Sequence, residues 1–208
     1  MIKKAIYDSI LNILSTAIPI IFLQIVSYPL MSINLGVSNF GIIISLITFV
    51  LMLAEPVGST LNQARLLVSS QYSDDKNNSD FSVILIKYAI TFSMIIFFTI
   101  PFLNYSISLF NYFMLLVVVV VTIIRAYIMV EFRLNLDFRK IFVSNLILML
   151  GYAVGTLLFV VLNYWLLIYI FGLVSSLIYV LLNTKIWKVR RIKSENYKVI
   201  YKKTSILL

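Results

Sequence analysis

Six runs of about twenty or more mostly apolar residues, joined by connectors too short to hold a domain, leave this chain little choice of fold. They lie near residues 10–33, 40–69, 82–103, 106–132, 141–162 and 164–183. A hydrocarbon core about 30 Å thick takes roughly 20 residues of helix to cross. Within it every backbone N–H and C=O needs a partner, and a helix supplies those partners from its own segment. The expectation is an all-α membrane protein, a bundle of six transmembrane helices over residues 1–184, followed by a basic tail, 185–208. Composition agrees: 62% of residues are hydrophobic and 12% charged, against about 25% charged in a soluble domain.

The charges give the bundle a direction. Lys3 and Lys4 precede the first span. Arg65, Lys76 and Lys87 flank the second connector, and Arg125, Arg133, Arg139 and Lys140 flank the fourth. The other basic residues are in the tail, and the connectors 34–39, 104–105 and 163 carry none. Cytoplasmic connectors collect Lys and Arg, so both termini are expected in the cytoplasm. The start resembles a signal peptide, but it has no small-residue cleavage site, and Pro19 and Pro29 interrupt the apolar run. It reads as an uncleaved first span. The net charge of +9 is therefore a membrane flank, and no nucleic acid is expected as a partner.

The chain has no cysteine and no histidine, which removes disulfides, thiolate chemistry, Ser-His triads and HExxH metal sites. Lipid-sugar transferases and polymerases place charged groups at the outer face, where this chain has none. It does not read as an enzyme, and no metal or cofactor is expected beyond a coupling H⁺ or Na⁺.

The polar residues inside the spans carry the rest. Along the second span, which ends in LMLAEPVGSTLNQARLL (51–67), Ser45, Thr48, Glu55, Ser59 and Asn62 recur at helical spacing within about 100° of one face. Such a stripe must face other helices or a water-filled cavity. Glu55, about 15 residues from either end of its run, must be paired, bound to a cation or protonated, because an ionised carboxylate at the bilayer centre costs roughly 2.5–3.5 kcal/mol. Pro56 removes an amide donor and crowds the Met52 carbonyl, and Gly58 resists bending little, so both read as a hinge or break. Arg65 lies about two turns from its helix end, within reach of the headgroups. Arg125 lies about 15 Å from its helix end, too deep to reach them easily, so it should face the bundle interior.

Two stretches carry a family resemblance. NLGVSNFGIIISL followed by AEPVGSTLNQARLL is similar to the first-to-second-span signature of the oligosaccharide flippases of the MOP (multidrug/oligosaccharidyl-lipid/polysaccharide) superfamily, through Leu35, Gly36, Phe40, Gly41, Glu55, Gly58 and Arg65. Residues 131–182 resemble its fourth-to-sixth-span region, through Arg133, Phe138, Arg139, Lys140 and Trp165. The resemblance implies one six-helix lobe of a twelve-helix exporter in the bacterial cytoplasmic membrane. Its cargo would be an undecaprenyl-diphosphate-linked oligosaccharide for envelope or capsular polysaccharide. Arg65 and Arg125 would then attract the diphosphate, Ser59 and Asn62 would line the sugar cavity, and Glu55 would hold the coupling ion or pair with an arginine.

Six spans are half of twelve, and TSILL at the end reads as an interrupted seventh. The expectation is therefore a truncated lobe with no transport of its own, which TSILL favours, or one half of a parallel homodimer. Two readings compete with the flippase: a drug or cation exporter of the same superfamily, and a non-transporting membrane assembly subunit.

Overall fold

The computed structural model describes residues 2–69, 74–102 and 108–184, and it is helical nearly throughout. The helices are α1 (Ile2–Phe22), α2 (Tyr28–Leu35), α3 (Val37–Ser69), α4 (Asp74–Phe102), α5 (Leu109–Ile128), α6 (Val130–Leu134), α7 (Phe138–Leu162) and α8 (Leu166–Asn183). They make six spans long and apolar enough to cross a membrane: Ile6–Leu35, Val37–Leu66, Phe81–Pro101, Leu109–Leu134, Phe138–Leu162 and Leu166–Asn183. The chain is a multi-pass membrane protein. The basic tail and the expected start of a seventh span lie outside the described residues. Much of the stretch read as a polar second connector is helical, because α4 begins at Asp74.

A π-turn at Leu23–Ser27 joins α1 to α2, with the Tyr28 N–H donating to the Leu23 carbonyl. Pro29 follows and has no N–H to offer the preceding turn, so the ladder is rewound just ahead of it. The Ser27 hydroxyl, fully buried, bonds Thr156 Oγ1 at 2.8 Å and pins this turn to α7. Gly36 then reverses the chain with φ at 79°, a left-handed conformation that glycine adopts without a Cβ penalty.

The tightest packing is between α7 and α8, antiparallel across the turn at Asn163. Gly151 and Gly155 on α7 face Gly172 and the Leu167–Ile168 backbone on α8, so closely that a Cβ on either would lie 2.6 Å from a Cα of the facing helix. Small residues at such spacing let membrane helices approach until backbones touch. From this pair the bundle continues as a chain of neighbours. α1 lies on α7, α8 on α5, α5 on α3 and α4, and α4 on α3. α2 and α3 meet beside the Gly36 turn, but α1 and α3 have no comparable contact along their lengths. The bundle is therefore open along the seam between α1 and α3.

Candidate functional site

The open side of α3 carries Ser45, Thr48, Met52 and Glu55, all exposed, with Ser59 partly so. Its other side, from Leu46 and Val50 to Ala54, Leu61 and Arg65, is buried. The expected polar stripe is thus divided. Asn62, at its trailing edge, is fully buried against α5, where its Nδ2 donates to the Ala126 carbonyl at 3.1 Å. The helix ladder is interrupted just beyond, at Met129, and Asn62 supplies a donor in that last turn. Its Oδ1 has no hydrogen-bond partner among the described residues.

Glu55 lies eighteen residues after Val37 and eleven before Leu66, deep within its span. Among the described residues it makes no hydrogen bond and no ion pair. The direct Glu55–Arg125 pair that the sequence allowed is not formed. The two groups are close enough to interact electrostatically, and Tyr152 shares that neighbourhood. The break expected at Pro56 is also not there: α3 is one continuous helix from Val37 to Ser69. The lost amide falls on the exposed side, and the Ser59 hydroxyl donates to the Pro56 carbonyl at 3.0 Å. Gly58 is a packing point. A Cβ there would sit 2.5 Å from the Ile123 carbonyl oxygen and 2.6 Å from Ala126 Cβ, so glycine sets the close approach of α3 and α5.

Arg125 faces the interior, as its depth suggested, but its partners are on α7 and α8. Its Nε donates to Ser176 Oγ at 2.7 Å, and an Nη2 hydrogen bond runs to Asn145 Oδ1. Ser176 is itself fixed to α7, with 2.9 Å to Ser144 Oγ and 3.0 Å to the Ser144 carbonyl. Both partners of Arg125 are neutral, so the positive charge is oriented without being cancelled. The Nη1 group has no hydrogen-bond partner among the described residues, and the side chain is only partly buried. A guanidinium that gives Nε and one Nη2 hydrogen to neutral partners keeps further donors for charge-assisted hydrogen bonds to an oxyanion.

Arg65 does not join it. It is buried on the α5 side of α3, where Nη1 donates to Tyr127 Oη at 3.5 Å and the guanidinium carbon lies 5.7 Å from the Tyr127 ring centre. Asn145, Ser176, Ser144 and Tyr152 are the members of this cluster that sequence reasoning missed. One signal could have found those on α7. Ser144, Asn145, Leu148, Gly151, Tyr152, Gly155, Thr156 and Phe159 are among its buried residues, and they recur at one helical face with two glycines four apart. Comparison with family models, with curated proteins and with solved structures gives no match.

Proposed function

We propose that this chain is a transport lobe that moves an anionic lipid-linked oligosaccharide across a bacterial cytoplasmic membrane, as one half of a MOP-type flippase. The observation that carries the reading is Arg125. A cation deep in an apolar bundle is costly and marks a ligand or ion pathway by default. This one is braced by two neutral partners on two helices and keeps its Nη1 donors unspent among the described residues. A diphosphate supplies the oxyanions such a group takes. Ser45, Thr48 and Ser59 on the open face of α3 are hydrogen-bonding groups for sugar hydroxyls. Glu55, unpaired on the same face, is the group to take up and release a coupling H⁺ or Na⁺ as the lobe alternates between its two openings. A second lobe or a parallel copy of this chain would close the open side.

A second reading, export of a cationic amphiphile, draws on the unpaired Glu55 carboxylate. The two are separated by binding measurements on detergent-purified protein with a polyprenyl-diphosphate sugar and with a lipophilic cation. The flippase reading expects Arg125→Ala to lose the diphosphate ligand, Arg125→Lys to keep part of it because lysine lacks the planar fork, and Glu55→Gln to leave it bound. Unchanged diphosphate binding by Arg125→Ala, at equal expression and stability, would sink it. Cation binding that depends on Glu55 alone would favour the exporter.

A further inference from the structure

Tyr152 lies on the buried face of α7, seven residues beyond Asn145. Packing holds its ring from two sides. Gly172 of α8 lies against it, where a Cβ would run into Tyr152 Cδ1 and Cε1. Tyr169 meets it edge-on, with ring centres 6.2 Å apart and planes at 71°. The residue is 6% exposed. Its hydroxyl makes no hydrogen bond among the described residues and is not enclosed, unlike that of Tyr169. A phenylalanine would fill the same space. A hydroxyl in an apolar bundle is unfavourable unless something bonds to it.

The geometry brings this hydroxyl towards Arg125. Side chains lean towards the N-terminus of their own helix. α5 and α7 belong to successive spans and run antiparallel. Arg125 therefore leans towards Ser108 and Tyr152 towards Asp137, which is towards each other. Asn145, which takes the Nη2 bond, lies on α7 in the direction Tyr152 leans. α8 agrees. Tyr152 rests on Gly172, and Ser176, which takes the Arg125 Nε, is one turn further along the same face. The two side chains also interact electrostatically.

We infer that the Tyr152 hydroxyl is a second donor to the oxyanion that Arg125 takes, so that one phosphate group is gripped from α5 and α7 together. The inference rests on the flippase reading for why a diphosphate is met. It assigns the hydroxyl to recognition, while the ring serves packing. A donor on a ring already fixed by Gly172 and Tyr169 needs little further ordering when ligand arrives. An O–H donated to an anionic oxygen is charge-assisted and stronger than one to a neutral acceptor. Glu55 shares the neighbourhood. Its carboxylate opposes an oxyanion there, and a proton or Na⁺ carried by Glu55 removes that opposition.

Tyr152→Phe keeps the ring on Gly172 and removes the hydroxyl alone. Tyr169→Phe is the control, because it deletes a neighbouring hydroxyl that is enclosed. Detergent-purified proteins are titrated with a short-chain prenyl diphosphate and with the matching prenyl alcohol, and Tm is measured without ligand. The inference expects Tyr152→Phe to weaken diphosphate binding by about tenfold or more, the scale of a hydrogen bond to a charged group. Binding of the alcohol and the ligand-free Tm should not fall, and Tyr169→Phe should bind the diphosphate as the unaltered chain does. Unchanged diphosphate binding by Tyr152→Phe would overturn the inference. So would an equal loss for the alcohol, an equal loss at Tyr169→Phe, a loss matched by a fallen Tm, or no diphosphate binding by the unaltered chain. The probe carries no sugar, so the two readings fail separately. The flippase reading fails alone if the prenyl diphosphate needs Arg125 and Tyr152 but the diphosphate sugar does not bind. This inference fails alone if both ligands need Arg125 and neither needs the Tyr152 hydroxyl.

Discussion

Gly151→Ala adds one methyl group where α7 and α8 touch. The new Cβ would lie 2.6 Å from Gly172 Cα and 2.6 Å from the Phe171 carbonyl oxygen. Both are backbone atoms, so no rotamer relieves the clash. An ordinary contact needs about 3.5 Å, so the helices must part by about 1 Å. Overpacking of this kind costs about 1–3 kcal/mol, and alanine recovers up to about 1 kcal/mol through helix propensity. The net loss is about 1–2 kcal/mol, or roughly 2–8 °C in Tm for a chain of this size. The separation also acts on the site. Ser176 lies one turn beyond Gly172 and holds both Ser144 and Arg125, so ligand binding at Arg125 should weaken with stability. Thermal unfolding in mild detergent reads the first effect and diphosphate binding the second. Gly41→Ala is the control, because nothing lies within 4 Å of its Cβ position and its φ is ordinary. It should be neutral or slightly stabilising. A Gly151→Ala protein as stable as Gly41→Ala would refute the close packing of α7 on α8.

Asn145→Leu removes the Nη2 partner of Arg125 and should lower diphosphate binding several-fold while the protein stays folded; unchanged binding would take Asn145 out of the site. Tyr127→Phe deletes the hydroxyl that Arg65 reaches but keeps the ring beneath it, so stability should fall by no more than about 0.6 kcal/mol, the average for such bonds in membranes. Asp137 caps α7 by accepting from the Lys140 N–H and pairs with Lys140 Nζ at 2.9 Å, and bonding to Lys140 holds its carboxyl below the usual carboxylate range. A depressed folded-state value means the contribution is complete above the unfolded pKa and lost as pH falls through the folded one. Asp137→Asn should therefore flatten the acid limb of the stability–pH profile, and an unaltered limb would show that the pair contributes nothing.

The six spans were legible because a helix in lipid must be apolar over its whole length, and length and hydropathy are properties of one segment. The interior placement of Arg125 was legible for a similar reason, since its distance from the helix end can be counted. Its partners were not, because Asn145 and Ser176 lie on helices α7 and α8, brought to it only by the order in which the bundle packs. Asn62 shows the limit of periodicity. A face about 100° wide groups it with Glu55, but packing on α5 divides that face, and Asn62 falls on the buried side beside the Ala126 carbonyl. Pro56 and Gly58 read together as a break, yet they act separately. The proline is carried on the exposed side of a continuous helix, and the glycine is needed because the Ile123 backbone lies against it. Arg65, which the family resemblance would put at the diphosphate, is instead laid on Tyr127.

The account depends on the exposed face of α3 lining an aqueous cleft instead of facing lipid. A thiol at position 55 tests this in the cysteine-free background. Glu55→Cys and Leu150→Cys, both well inside their spans and both exposed, are treated in sealed vesicles of each orientation with a membrane-impermeant, hydrophilic alkylating reagent. The thiolate is the reactive form and persists only where water reaches it. The account predicts labelling at position 55 from at least one side and none at position 150. A thiol at position 55 as unreactive as the one at position 150 would contradict it.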